Sequence, residues 1–148
     1  MKALVQRVSR ASVGANDRIV GNIGPGLVVL LGVAQGDAKK DATYLANKVV
    51  NLRIFADESS HFALSALDTR GDILIVSQFT LLGDTRKGRR PDFTAAAPPG
   101  LAKESYEFFV QQVRGTGLKV ETGLFQEHML VEIHNDGPVT ILLESRNR

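Results

Sequence analysis

Two apolar runs of strand length constrain this chain more than any other feature: Leu27-Val28-Val29-Leu30-Leu31 and Ile73-Leu74-Ile75-Val76. Neither alternates with polar residues, so each must be covered on both faces, as the central strands of a sheet are. Two segments at helical spacing are candidates for the cover. Residues 38–51, with Asp37 in position to cap them, bring Leu45, Val49 and Leu52 to one side; residues 101–114 do the same with Leu101, Phe108, Phe109 and Val113, and end before Gly115 and Gly117.

The remaining segments read mainly as strands. Residues 2–9 and 11–15, a turn at Asn16-Asp17 and residues 18–23 predict an N-terminal strand pair, which Gly24-Pro25-Gly26 breaks off. Strand character returns at 52–55, and 56–61 reads as a hairpin loop leading to 62–65. The second apolar run is expected to extend to Leu81. Further strands are expected near 118–122, 128–134 and 139–144, with the hairpin signal Asp136-Gly137 between the last two. The expected fold is a single α+β domain over residues 1–148, with largely antiparallel β-sheets forming a barrel-like core and two main helices.

Composition then removes most familiar chemistries. There is no Cys, which excludes a thiol nucleophile, a disulfide framework and Cys-ligated metals. His61, His128 and His134 are scattered; the last two, six residues apart on one expected strand, lie about 20 Å from each other at ~3.3 Å per residue. No cofactor and no metal are expected: neither a dinucleotide fingerprint nor a P-loop is present, and no carboxylate pair suits glycosidase chemistry. The N-terminus carries charge too early for a signal peptide, and no apolar run approaches the roughly 20 residues of a membrane span. A soluble, cytoplasmic protein is expected. The formal charge is only +2, from 18 Lys and Arg against 16 Asp and Glu, so any basic surface has to be local.

Three segments stand out. Residues 83–100 are irregular for longer than a compact domain usually tolerates, and carry Arg86, Lys87, Arg89 and Arg90 with Phe93 just beyond. Such a loop suits a nucleic-acid backbone with a ring to stack on a base, or is a solvated charge run. Ser77-Gln78-Phe79-Thr80 ends an apolar strand with two hydroxyls, an amide and a ring. That suits the wall of a binding pocket, or is a strand meeting solvent. Asn135-Asp136-Gly137-Pro138-Val139-Thr140 joins a turn signal to a proline that removes a backbone donor. A cis Gly137-Pro138 would turn two carbonyls outward as a rigid acceptor surface.

In order, Val5-Gln6-Arg7-Val8, Ala11-Ser12-Val13, Gly24-Pro25-Gly26-Leu27, Asn51-Leu52-Arg53-Ile54-Phe55, Ser77-Gln78-Phe79-Thr80-Leu81, Asp84 to Pro91 and Asn135 to Thr140 resemble the D-aminoacyl-tRNA deacylases over essentially the whole chain. The resemblance implies an editing hydrolase that frees tRNA from D-amino acids, and a homodimer with its active sites at the subunit interface. It implies that Ser77, Gln78, Phe79 and Thr80 form the catalytic cradle, with Phe79 against the adenine. Gly137 and Pro138 would be the wall that collides with an L side chain, leaving D-aminoacyl and glycyl esters acceptable. Arg7 would steady that wall, Met129 would lie near the adenosine, and Asn135 and Thr140 would complete the substrate-binding set. Arg86, Lys87, Arg89 and Arg90 would touch the tRNA backbone. At Gln126 and Glu127 relatives usually carry small residues, a departure expected to alter the pocket rim.

Thr80 and Thr140 are nucleophiles by chemical type, but neither has an evident base in its motif. The family's route, in which the ribose 2′-hydroxyl of the substrate assists water, is the expected mechanism. A non-catalytic RNA-binding module and a small-ester hydrolase with a Thr nucleophile are the rival readings.

Overall fold

The computed structural model describes residues 1–146. Its strands are β1 (Lys2–Ala15), β2 (Arg18–Ile23), β3 (Gly26–Gly32), β4 (Asp72–Ser77), β5 (Val120–Thr122) and β6 (Leu130–Glu144); its helices are α1 (Lys39–Asn51), the short α2 (Ala66–Thr69) and α3 (Pro99–Arg114). Asn16 and Asp17 both take left-handed backbone angles (φ 52° and 60°), which turns β1 tightly into β2. The sheet order is β2-β1-β3-β4-β5, with β6 also on β1, and β2 curls back toward β4 and β5 so that the sheet nearly closes into a barrel.

β1 is antiparallel to β2, β3 and β6. The β3–β4–β5 limb is parallel, so the sheet is mixed with most of its pairings antiparallel, as expected of a largely antiparallel α+β fold. Its two crossovers carry α1 with α2, and then α3.

Both apolar runs are covered on two faces. Leu27, Val29, Leu31, Ile73 and Ile75 pack under the helices with Leu45, Val49, Phe109 and Val113, while Val28, Leu74 and Val76 fill the barrel interior with Val8, Val13 and Ile23. Burying a Leu, Ile or Val fully is worth about 1.5–3 kcal/mol each, so this two-sided core dominates the fold's stability. Buried Tyr106 ties the layers, donating its hydroxyl proton to the Ile75 carbonyl at 2.8 Å. Burial pushes the Tyr106 hydroxyl's pKa upward, and it stays a neutral donor.

Four local expectations are corrected. Asp37 does not cap α1: its carboxylate is occupied by the Ala34 N–H at 2.7 Å and by Arg146 at 3.0 Å, and Asp41 reaches back to the Ala38 N–H instead. Residues 52–55 and 62–65 share only a single bridge, Phe55 with Leu64. β4 stops at Ser77, where the chain tightens into a 3-10 turn over Phe79–Leu82.

The fourth concerns Asp136-Gly137, which is not a hairpin: β6 runs through it, antiparallel to β1 on both sides. Between the pairs Gln6 with Thr140 and Val8 with Asn135, Arg7 alone faces residues 136–139. The Asn135 side chain closes this bulge, accepting from the Val139 N–H at 2.7 Å and donating to the Val139 carbonyl at 3.2 Å and Thr140 Oγ1 at 3.0 Å. The strand therefore continues without a ladder bond at Pro138. The Gly137-Pro138 peptide is cis.

Candidate active site

The C-terminal end of β4 opens into a cavity of about 750 Å³. Ser77, Gln78 and Phe79 form one wall, Phe93 and the segment from Ala96 to Pro99 a second, and Phe125 to Met129 a third. Parallel strands commonly end at such a site, because the turn that leaves the strand presents unpaired backbone groups. Here the Gln78 N–H still pairs with the Leu31 carbonyl, and the first bond of the 3-10 turn is Leu81 N–H to Gln78 O. The amides of Phe79 and Thr80 head the turn ahead of that bond, where a 3-10 turn leaves its first N–H groups without partners inside the turn.

Phe79 is 55% exposed and meets Phe93 edge to face, with ring centroids 5.1 Å apart. An exposed ring steadied by a second ring suits a flat apolar ligand group. Gln78 Nε2 donates to Thr80 Oγ1. Met129 folds against Gly123, where a Cβ would lie 2.5 Å from the Met129 Sδ, and that sulfur accepts from the Leu124 N–H at 3.4 Å. Phe125, missed in the sequence reading, completes the third wall; nothing in the spacing singles out one phenylalanine among seven. His128 lines the cavity from the turn before β6, so it does not share a strand face with His134.

Gly137 and Pro138 lie elsewhere. Both are exposed on the bulge beside Arg7, whose Nε–H donates to the Asp136 carbonyl and whose Nη1 donates to the Ile54 carbonyl. Arg7 pairs with Leu27, while Ser77 pairs with Leu31, four residues along β3; the path from the bulge on β6 through β1 and β3 to β4 crosses three strand spacings. At ~3.3 Å per residue and ~4.8 Å per strand that is a separation of roughly 20 Å. Within one chain, then, Asn135, Gly137, Pro138, Thr140 and Arg7 form one group, and Ser77 to Thr80 with Met129 form another. Thr140 Oγ1 accepts from Gln6 Nε2 and Asn135 Nδ2.

The basic loop is more ordered than an irregular segment implies. Asp84 and Asp92 bridge its base, and Gly88 sits at the tip in a left-handed conformation (φ 66°). Arg86 stays exposed but folds back along the loop, its Nε and Nη2 gripping the Asp84 carboxylate at 2.6–3.1 Å. That grip, with the Arg86 N–H, holds the Asp84 carboxyl down at about 2. Lys87, Arg89 and Arg90 are exposed, and among the described residues none makes an ion pair. Phe93, at the foot of the loop, carries it to the cavity edge.

The family model for D-Tyr-tRNA(Tyr) deacylase matches residues 4–144. The chain belongs to this family. The deacylase is 60% identical to the D-aminoacyl-tRNA deacylase of Desulforamulus reducens, over 99% of this chain and 98% of the relative, and 57% identical to that of Dehalococcoides mccartyi (strain ATCC BAA-2266 / KCTC 15142 / 195), over 100% and 97%. Among solved structures it superposes on a c-Myc DNA unwinding element binding protein with a TM-score of 0.92 at 45% identity, covering 97% and 98% of the two chains. A probable eukaryotic D-amino acid tRNA deacylase shares the fold at 18% identity, with a TM-score of 0.84 and the same coverage. The deacylase is an enzyme that hydrolyses the ester bond of D-aminoacyl-tRNA.

Among the described residues no group of three or more His, Asp or Glu converges as a metal site needs, and no helix is long and apolar enough to cross a membrane.

Proposed function

We propose that this deacylase works as a homodimer, each active site combining the Ser77 to Thr80 cradle of one subunit with the Gly137-Pro138 bulge of the other. The observation that carries this reading is the roughly 20 Å between the two motifs within one chain. The bulge, exposed and held by Arg7, has the form of an inserting element.

In this reading the terminal adenosine stacks on Phe79 near Met129, and the amides of Phe79 and Thr80 at the head of the turn receive the scissile carbonyl. Gly137-Pro138 stands against the α-carbon. An L side chain meets it, a D side chain points away, and glycine has nothing to collide, so glycyl-tRNA(Ala) is cleared as well. Water adds to the carbonyl carbon with help from the ribose 2′-hydroxyl, and the bond to the 3′-oxygen breaks. The water's protons end on the departing ribose hydroxyl and the amino acid. The protein supplies orientation and desolvation, which are worth several kcal/mol. Lys87, Arg89 and Arg90 meet the tRNA backbone, while Arg86 holds their loop.

Dilution tests the composite site. Specific activity per chain should fall in step with dissociation of the dimer followed by sedimentation; a monomer with full activity would overturn it.

A further inference from the structure

A second groove adjoins the candidate active site and is unused by the reading above. It takes up about 710 Å³ between α3 and the turn that follows β5, and Phe125 and Glu127 line both cavities, so the two are neighbours. Its lining is unusual in carrying both signs of charge and aromatic rings together. Lys39, Lys103 and Arg114 are exposed, and among the described residues no carboxylate approaches any of them to within ion-pairing distance. Lys39 Nζ lies 5.3 Å from the centre of the Phe108 ring. Phe125 leans on Tyr106 at 5.9 Å. The carboxylates are Glu104, Glu107 and Glu127, all exposed.

A duplex backbone offers only phosphates, which three carboxylates would repel. A single strand of cytidines satisfies every group. Its phosphates suit the two lysines and the arginine, its bases stack on the half-buried rings of Phe108 and Phe125, and the cytosine N4 amino group donates to a carboxylate. Uridine presents an acceptor at the same place and would face the carboxylates lone pair to lone pair. In every tRNA two cytidines precede the terminal adenosine.

We propose that this groove binds the two cytidines next to the terminal adenosine and selects them over uridines. The inference rests on the adenosine occupying the cavity at Ser77 to Thr80. The test is direct binding of fluorescently labelled trinucleotides to the intact protein, which reads the groove without requiring hydrolysis. CCA should bind about tenfold more tightly than UUA. The double variant Lys103→Glu, Arg114→Glu should lose about tenfold in CCA affinity at an unchanged melting temperature, and Glu104→Gln, Glu107→Gln should narrow the preference for CCA without weakening UUA. Equal affinity for CCA and UUA, or a double charge reversal that leaves CCA binding intact, overturns the proposal. Failure of the protein to hydrolyse D-aminoacyl-tRNA would sink the catalytic reading instead and leave the binding result standing.

Discussion

Arg7 and Asp136 are joined side chain to backbone, the Arg7 Nε–H donating to the Asp136 carbonyl at 2.9 Å, while Nη1 of the same guanidinium donates to Ile54 O at 2.7 Å. One planar group thus ties the exposed bulge of β6 to the segment that leaves α1. Arg7→Ala removes both bonds, each a charge-assisted one worth about 1.5–3 kcal/mol where it is shielded from water. If the bulge is the wall that excludes L substrates, the ratio of D- to L-Tyr-tRNA hydrolysis should drop at least about tenfold, the equivalent of ~1.4 kcal/mol. Arg7→Lys, with a point charge that cannot serve two diverging carbonyls, should recover only part of that ratio. A ratio unchanged in Arg7→Ala would show that the bulge needs no such support.

Thr80 and Thr140 each accept a hydrogen bond from a side-chain amide, from Gln78 in one case and from Gln6 and Asn135 in the other. An amide nitrogen cannot take a proton from a hydroxyl, so none of these partners serves as a base for either threonine. Thr80→Ala and Thr140→Ala should each retain most of the turnover on D-Tyr-tRNA, whereas a substrate ending in 2′-deoxyadenosine should be inert. A threonine variant that folds and binds tRNA normally yet is inactive would contradict the substrate-assisted route.

How legible this was in the sequence differs by region, for physical reasons. The apolar runs at 27–31 and 73–76 announced two-sided burial because a strand covered on both faces has no polar positions to alternate. The path of β6 was not legible. Asp136-Gly137 favours a tight turn locally, and what overrides it is tertiary: β1 pairs on both sides of the bulge and the Asn135 amide replaces the missing ladder bonds. The parallel limb was hidden for a related reason, since a buried strand reads alike in either direction. Motif residues could be named, but that Ser77 to Thr80 and Gly137-Pro138 lie far apart in one chain depends on strand order, which no local pattern carries. The charge of Arg86 was visible and its pairing with Asp84 two residues back was not.

The Asp84 carboxyl is held at about 2, against an ordinary value of 3.8, first by the Arg86 side chain and then by the Arg86 N–H. Its folded value lies below its unfolded one, so the contact is fully present above pH 3.8, weakens as pH falls below that, and is lost as pH drops through about 2. The loop should therefore keep its shape across the whole neutral and mildly acidic range. Carboxyl NMR titration should place the Asp84 midpoint near 2 and move it upward in Arg86→Ala. An unmoved midpoint would show that the guanidinium is not its cause. In binding, charge reversal at Lys87, Arg89 or Arg90 should lower tRNA affinity and its salt dependence.

Gln126 stands in a left-handed conformation (φ 63°) at the cavity rim, where a residue with a Cβ pays about 1 kcal/mol relative to glycine. Gln126→Gly should raise the melting temperature by about 2–4 °C for a chain of this size. A fall in melting temperature would mean that the Gln126 side chain makes contacts worth more than the backbone strain.

The central claim is that this fold hydrolyses the D-aminoacyl ester and rejects its mirror image with backbone rather than side-chain chemistry. Single-turnover hydrolysis of matched D-Tyr-tRNA and L-Tyr-tRNA by the intact protein tests it most directly. The account predicts rapid release of D-tyrosine with L-Tyr-tRNA left at its spontaneous rate; tRNA bound without cleavage of either ester, or both esters cleaved alike, would contradict it.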